Sequence, residues 1–172
     1  MPENIWGTLK PPIKSIKTHT SLNQEIINEQ YETLSYQDKA LPDSFESEFK
    51  SKFYGAYNPF YNCHGLTFAC KRTGIYDDNE IRKIIKAEYM EVKSTKDVVV
   101  GDIILYSLDQ NEDVISHSGI VVEVIQGISP VIKIYSKVRM GREIVHQYDV
   151  GPYKNNYKKF YRISYGNRIK YT

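Results

Sequence analysis

Cys63 stands in the run Tyr61-Asn62-Cys63-His64-Gly65-Leu66-Thr67-Phe68-Ala69, where turn-forming Gly55, Asn58 and Pro59 give way to a helix-compatible apolar stretch. A cysteine at a helix start faces free backbone N–H groups and the positive end of the helix dipole. Both favour thiolate over thiol, and the thiolate is the nucleophile. About fifty residues further on, Ile115-Ser116-His117-Ser118-Gly119-Ile120 sets a histidine at the opening of a strand-like run. An imidazole there can take the thiol proton and return one to a leaving group, so Cys63 and His117 are a candidate nucleophile and general base. Alternation puts His117 and Gly119 on one sheet face, and the small Ser116, Ser118 and Gly119 would leave room for substrate or a second chain.

A third group is expected to hold the imidazole in its working tautomer. The strand after His117 offers Tyr135 or Ser136, the next offers His146, and Asp149 lies beyond; of these, Ser136 and His146 are the preferred candidates. An oxyanion hole would use the Cys63 backbone N–H with a donor close by, from Tyr61, Asn62 or His64. His64 lies about 100° round the helix from Cys63, suited to contacting substrate or to packing. Cys70, two turns on inside the apolar stretch, is expected to be inert. Seven residues along one helix separate the two cysteines by about 10 Å, too far for a disulfide. Cys63, His64, His117 and His146 lack the recurrent spacing of zinc sites, so neither metal nor cofactor is expected.

The elements that must position these residues follow from periodicity. Residues 1–20, with Pro2, Pro11 and Pro12, read as an N-terminal arm, and 21–172 as one catalytic domain. Leu22, Ile26, Ile27, Tyr31 and Leu34 recur at helical steps, predicting a helix over 21–38 capped by Ser21. Segment 44–62 is rich in aromatics that suit either a cleft wall or the core. The nucleophile helix is expected over 63–73 with Gly74 as its C-terminal cap, and a second helix capped by Asp78 or Asn79 carries Ile81, Ile84 and Ile85. From residue 98 the pattern becomes that of strands, expected at 98–106, 115–125, 131–138, 142–149 and 158–165. Helices first and an antiparallel meander second predict an α+β domain.

With 172 residues and a formal charge of +2, the chain can bury a full core, and its near-neutral balance argues against a dedicated nucleic-acid protein. Lys154, Lys158, Lys159, Arg162, Arg168 and Lys170 do crowd the C-terminal end among tyrosines, a pattern that suits an edge strand with a solvated tail and, failing that, single-stranded nucleic acid. The N-terminus lacks a secretory leader and no stretch reaches the roughly 20 apolar residues of a membrane span. The expectation is a protein cytoplasmic as synthesised, not membrane-bound, with any export by a non-classical route.

Asn62-Cys63-His64-Gly65-Leu66 resembles the Asp-Cys-Ser-Gly-Leu nucleophile motif of NlpC/P60 cysteine hydrolases. Gly101-Asp102-Ile103-Ile104-Leu105-Tyr106 and Ile115-Ser116-His117-Ser118-Gly119-Ile120 resemble that family's Gly-Asp strand and Ser-His-x-Gly-Ile strand. Order and spacing agree over about residues 60–138, with Asn62 and His64 replacing the usual Asp and Ser. The resemblance implies a papain-like α+β fold, N-terminal helices packed on an antiparallel sheet of about five strands. It also implies a Cys63–His117 peptidase or amidase that cleaves an amide bond through an acyl-enzyme. The implied substrates are peptide or peptidoglycan-type amides, and a role as cell-wall amidase or toxin and defence effector would bring an inhibitor or immunity protein as partner. Two alternatives stay open: an acyltransferase or transglutaminase-like enzyme, and a non-catalytic binding module.

Overall fold

The computed structural model describes residues 14–33, 51, 53–139 and 141–164. Among these, seven strands form one antiparallel sheet: β1 (Phe53–Tyr54), β2 (Tyr89–Val92), β3 (Ile103–Ser107), β4 (Ile115–Ile125), β5 (Val131–Lys137), β6 (Glu143–Gln147) and β7 (Tyr157–Ile163). Their order is β1-β6-β5-β4-β3-β7-β2. The helices are α1 (Cys63–Phe68), six residues, and α2 (Asp78–Glu88), eleven residues, with single 3-10 turns at Thr95–Asp97 and Gly151–Tyr153.

This corrects the expected α+β arrangement of N-terminal helices on about five strands: the chain is sheet-rich, with two short helices only among the described residues. No helix forms over 21–33. Asn23 is left-handed at φ 59, the Thr20 N–H donates to the Gln24 carbonyl at 2.9 Å, and the chain doubles back so that His19 pairs with Glu25 and Lys14 with Gln30. Ile26 and Asn28 then point inward while Ile27 is 61% exposed, a period of two where the sequence also allowed a period of four. Residues 34–38 of the expected helix, most of the aromatic segment before Ser51, and Arg168 and Lys170 lie outside the described residues.

Strands β4 to β7 fall close to their expected places because each run is bounded by turn residues, whereas β3 begins only at Ile103, five residues later than expected. β3 is buried on both faces, which accounts for its unbroken apolar sequence. Ile103 and Leu105 pack with Ile26, Ala69, Ile75, Ile81 and Ile84 beneath the helices, while Ile104 and Tyr106 pack with Val121, Ile132, Ile134 and Phe160 on the other face. The Gly101-Asp102 pair sets the entry to β3. Gly101 is left-handed at φ 94, and the buried Asp102 carboxylate accepts from the Val99 N–H and from Arg162 in a two-pronged ion pair with both contacts at 2.8 Å. Asp102 is therefore a clamp between β3 and β7.

Helix α1 is shorter than expected and does not end at Gly74. Asn62 is its N-cap, Ala69 closes it, and Cys70 and Lys71 turn the chain back with φ 49 and 64. Gly74 instead pairs with Glu29, their backbone groups exchanging two hydrogen bonds of 2.9 Å. The cap of α2 shifts by one residue to Asp77, whose side chain accepts from the Asn79 N–H. The small residues of β4 serve packing more than access. A Cβ on Gly119 would lie 2.3 Å from Ile134 Cγ2, so β5 occupies that space. Gly65 is tighter still, because a Cβ there would lie 1.8 Å from the Thr73 carbonyl oxygen. Gly65→Ala is therefore expected to cost about 3 kcal/mol or more, since backbone must move to admit it. A urea midpoint equal to the parent's would show that α1 does not approach residue 73 so closely.

Candidate active site

Cys63 is the first residue of α1, delivered by a cap that uses the whole Asn62 side chain. Asn62 Oδ1 accepts from the Gly65 N–H at 2.9 Å and the Ile75 N–H at 3.1 Å, while Nδ2 donates to the Ile75 carbonyl at 2.6 Å. Asn62 is thus a structural pin and not the expected oxyanion donor. Cys63 is buried, yet it lines a cleft of about 270 Å³ with Asn62, His64, Tyr76, Asp78, Ile115, Ser116 and Arg139.

Backbone N–H groups of Ser118, His64 and Cys63 itself point at the Cys63 sulfur and favour the thiolate, as does the charge of Lys137. Burial outweighs all of them and pushes the thiol up to about 11. The helix start therefore does not by itself yield a resting thiolate. Cys70, expected to be inert inside the apolar stretch, is exposed, and both cysteines are free.

A hydroxyl chain locks α1 to β4 and fixes the state of His64. Thr67 Oγ1 donates to the Cys63 carbonyl at 2.9 Å, so its single proton is used. Ser118 Oγ, 2.9 Å from Thr67 Oγ1, must then donate to it, and His64 Nδ1, 2.9 Å from Ser118 Oγ, must carry a proton to donate in turn. His64 is consequently the Nδ1–H tautomer with a lone pair on Nε2, and burial pushes its pKa down to about 4.

His117 is fully buried, and neither of its ring nitrogens has a hydrogen-bond partner. Its ring stacks on Tyr153 at 4.0 Å with planes 5° apart, and Tyr106 lies 5.4 Å away. Burial, and then the charges His146 and His64 would carry, hold it well below its ordinary value. No hydrogen bond joins it to Cys63. The backbone N–H of Ser118, the next residue in the chain, is among the groups that favour the Cys63 thiolate. Tyr153 also lies beside both: it stacks on His117, and a Cys63 charge would raise its pKa further after burial has done so.

The expected third member is not in place. Ser136 Oγ and His146 Nε2 bond each other at 3.0 Å, and His146 Nδ1 donates to the Gln147 carbonyl at 2.7 Å. His146 is thus an Nδ1–H tautomer whose ring centroid stays 6.3 Å from that of His117. Burial pushes its pKa down to about 4, opposed by the Gln147 carbonyl. Tyr135 donates to Glu143 instead, as does Tyr61 at 2.5 Å. Burial pushes the Glu143 carboxyl up, but bonds from Lys71, Tyr135 and Tyr61 outweigh it and hold it below the usual range. Tyr61, expected near the oxyanion, thus serves Glu143 and the neighbouring Lys137.

Sequence reasoning missed Tyr153 and Lys137. Tyr153 follows Gly151-Pro152 and read only as a turn. Lys137 is the last residue of β5 and is fully buried, where a strand-end lysine normally signals solvent. Among the described residues no group of His, Cys, Asp and Glu is arranged to hold a metal, and no helix is long and apolar enough to cross a membrane.

Two outcomes follow. Alkylation below pH 8 should modify Cys70 first and leave Cys63 protected in the folded chain, read by mass spectrometry of each peptide; preferential labelling of Cys63 would contradict its burial. Acid should also weaken the fold. The depressed histidines His64, His117 and His146 stay neutral when folded, whereas the unfolded chain takes up protons below pH 6.5. Stability is therefore full above that pH and falls as pH drops toward 4, by on the order of 3 kcal/mol for each of His64 and His146. Urea unfolding at pH 7 and pH 5 checks this, and equal stability at both would refute it. No family model, curated protein or solved structure matches the chain.

Proposed function

We propose that this protein is a cysteine hydrolase, a peptidase or amidase that attacks an amide carbonyl with Cys63 and uses His117 as general base. One observation carries the reading: His117, fully buried next to the Ser118 that pins α1 to β4, has two ring nitrogens without partners. A buried polar atom left unpaired costs roughly 1–3 kcal/mol, and such groups in native proteins call for a role. The surrounding cluster of shifted groups, Cys63, His64, His117, His146 and Lys137, is the electrostatic pattern of a reactive site.

In this reading His117 removes the thiol proton as Sγ adds to the carbonyl carbon. The helix-start N–H groups that now face the sulfur are available to the developing oxyanion. Collapse breaks the carbon–nitrogen bond, the amine leaves with the proton from His117, and water then cleaves the thioester. Catalytic hydrogen bonds that are unformed in the resting protein fit these steps, since such contacts tighten when substrate binds. Neutral histidines suit them as well, because only a neutral imidazole can accept the proton.

The test uses a Cys70→Ser background and p-nitrophenyl acetate. One equivalent of nitrophenol should be released rapidly, with acetyl found on Cys63. Cys63→Ala should abolish the burst, and His117→Gln should slow it by about 100-fold or more. A burst that survives Cys63→Ala, or a His117→Gln variant as fast as its parent, would overturn the assignment. His64→Gln separates the two histidines, because a structural His64 should leave the rate within a few fold.

A further inference from the structure

We propose that Lys137 is the built-in counter-charge of the Cys63 thiolate, an ammonium buried beside the sulfur that favours its ionised form. The inference rests on Cys63 being the nucleophile, but its measurement needs no turnover.

Lys137 is fully buried, and lysine is almost never so unless it is paired. Its Nζ donates to the Asn58 carbonyl at 2.8 Å and sits 3.9 Å from the centre of the Tyr61 ring. Among the described residues no carboxylate lies within ion-pair distance of it. The nearest candidate is Glu143, its partner across the β5–β6 ladder, and Glu143 is already occupied. Lys71 meets it at 2.8 Å, and Tyr61 and Tyr135 both donate to it. A carbonyl and a ring face soften the charge without neutralising it, and an unpaired buried cation costs several kcal/mol.

The position explains that cost. The last β4–β5 pair is Gly119 with Ser136, so Ser118 and Lys137 are the residues next beyond it on the same side. Ser118 turns its N–H to the Cys63 sulfur. Asn58 and Tyr61, which hold the ammonium, belong to the segment that runs directly into Cys63. The other groups around the pair are Glu143, Lys71, His64, His117 and Tyr153, with Tyr76, Asp78 and Arg139 along the Cys63 cleft. Of these the histidines are neutral, and the charges of Glu143 and Lys71 satisfy each other. Burial pushes the Lys137 pKa down to about 8, a Cys63 charge raises it, and Lys137 in turn lowers that of Cys63. As the thiol ionises, the S–H bond breaks and its proton goes to water through the cleft. The ammonium keeps its three N–H bonds and gains a counter-ion.

The experiment measures iodoacetamide modification of Cys63 at pH 7, where Lys137 is still an ammonium, in the Cys70→Ser background, with circular dichroism confirming the fold. Lys137→Met should slow alkylation about tenfold and move its pH profile to higher pH, whereas Lys137→Arg should stay within about threefold of the parent. A lysine that only fills space predicts the opposite sign, since loosened packing exposes the thiol and speeds labelling. Unchanged or faster modification in Lys137→Met, or an Arg variant as slow as Met, overturns the proposal. If Lys137→Met fails to fold, Lys137→Gln replaces it with the same expected loss. Because labelling is independent of catalysis, a Cys63 that ionises with Lys137 but turns over no ester would sink the hydrolase reading and leave this one standing.

Discussion

The candidate site depends on how α1 is pinned to β4 through Ser118. The Ser118 hydroxyl accepts from His64 and donates to Thr67, Thr67 closes the chain on the Cys63 carbonyl, and the Ser118 N–H points at the sulfur. Both hydrogen-bonding ends of one small residue are thereby committed to one turn of helix. A helix of six residues could not hold its own shape in water, because nucleating a turn costs more than its few hydrogen bonds return. The turn exists because the sheet, the Asn62 cap and the Thr73 carbonyl hold it from three sides. Gly65 is what allows the last of these to come so near.

That close fit has an electrostatic consequence. Pressing the thiol against the sheet strips it of water, and stripping water favours the neutral form more than three N–H groups favour the anion. The same burial keeps His64, His117 and His146 neutral. The resting site is thus a neutral thiol among neutral imidazoles, with Lys137 its one buried cation among the described residues. Ionisation of the thiol would be compensated from within. Such an arrangement keeps the Cys63 thiol un-ionised at neutral pH, whereas Cys70 is exposed.

How much of this could be read from the chain depended on which interaction decided each element. Strands β4 to β7 were legible because β-branched runs between Gly, Asn and Pro leave one local answer, and β4 forms over the expected residues, 115–125. The segment 21–33 was not, because Ile26, Ile27 and Tyr31 satisfy a helical spacing equally well. Asn23 and the pairing of residues 14–30 decide it, and those contacts are non-local. β1 and β2 are two and four residues long and owe their existence to neighbouring strands, which a local pattern does not reveal. At the site, Cys63 and His117 stood out by residue type, but His117 packs on Tyr106 and Tyr153 and makes no hydrogen bond to Cys63. The partners of Ser136 and His146 turned out to be each other, because a sheet register one strand further on decides what a side chain meets.

The orphan nitrogens of His117 and the carboxylate-free Lys137 stand out against carboxylates that are well satisfied. Asp102 has its Arg162, Glu143 its three donors, and Glu80 its Lys83 and the Ile27 N–H. A fold able to satisfy those buried carboxylates would gain stability by treating His117 and Lys137 in the same way, or by replacing them with apolar residues of similar size. It has done neither at the two positions that flank Ser118 and the sulfur. Local rules broken in one place and kept elsewhere mark where stability has been traded for chemistry. Here the two exceptions sit on β4 and β5 around Ser118, the residue that pins α1 to the sheet.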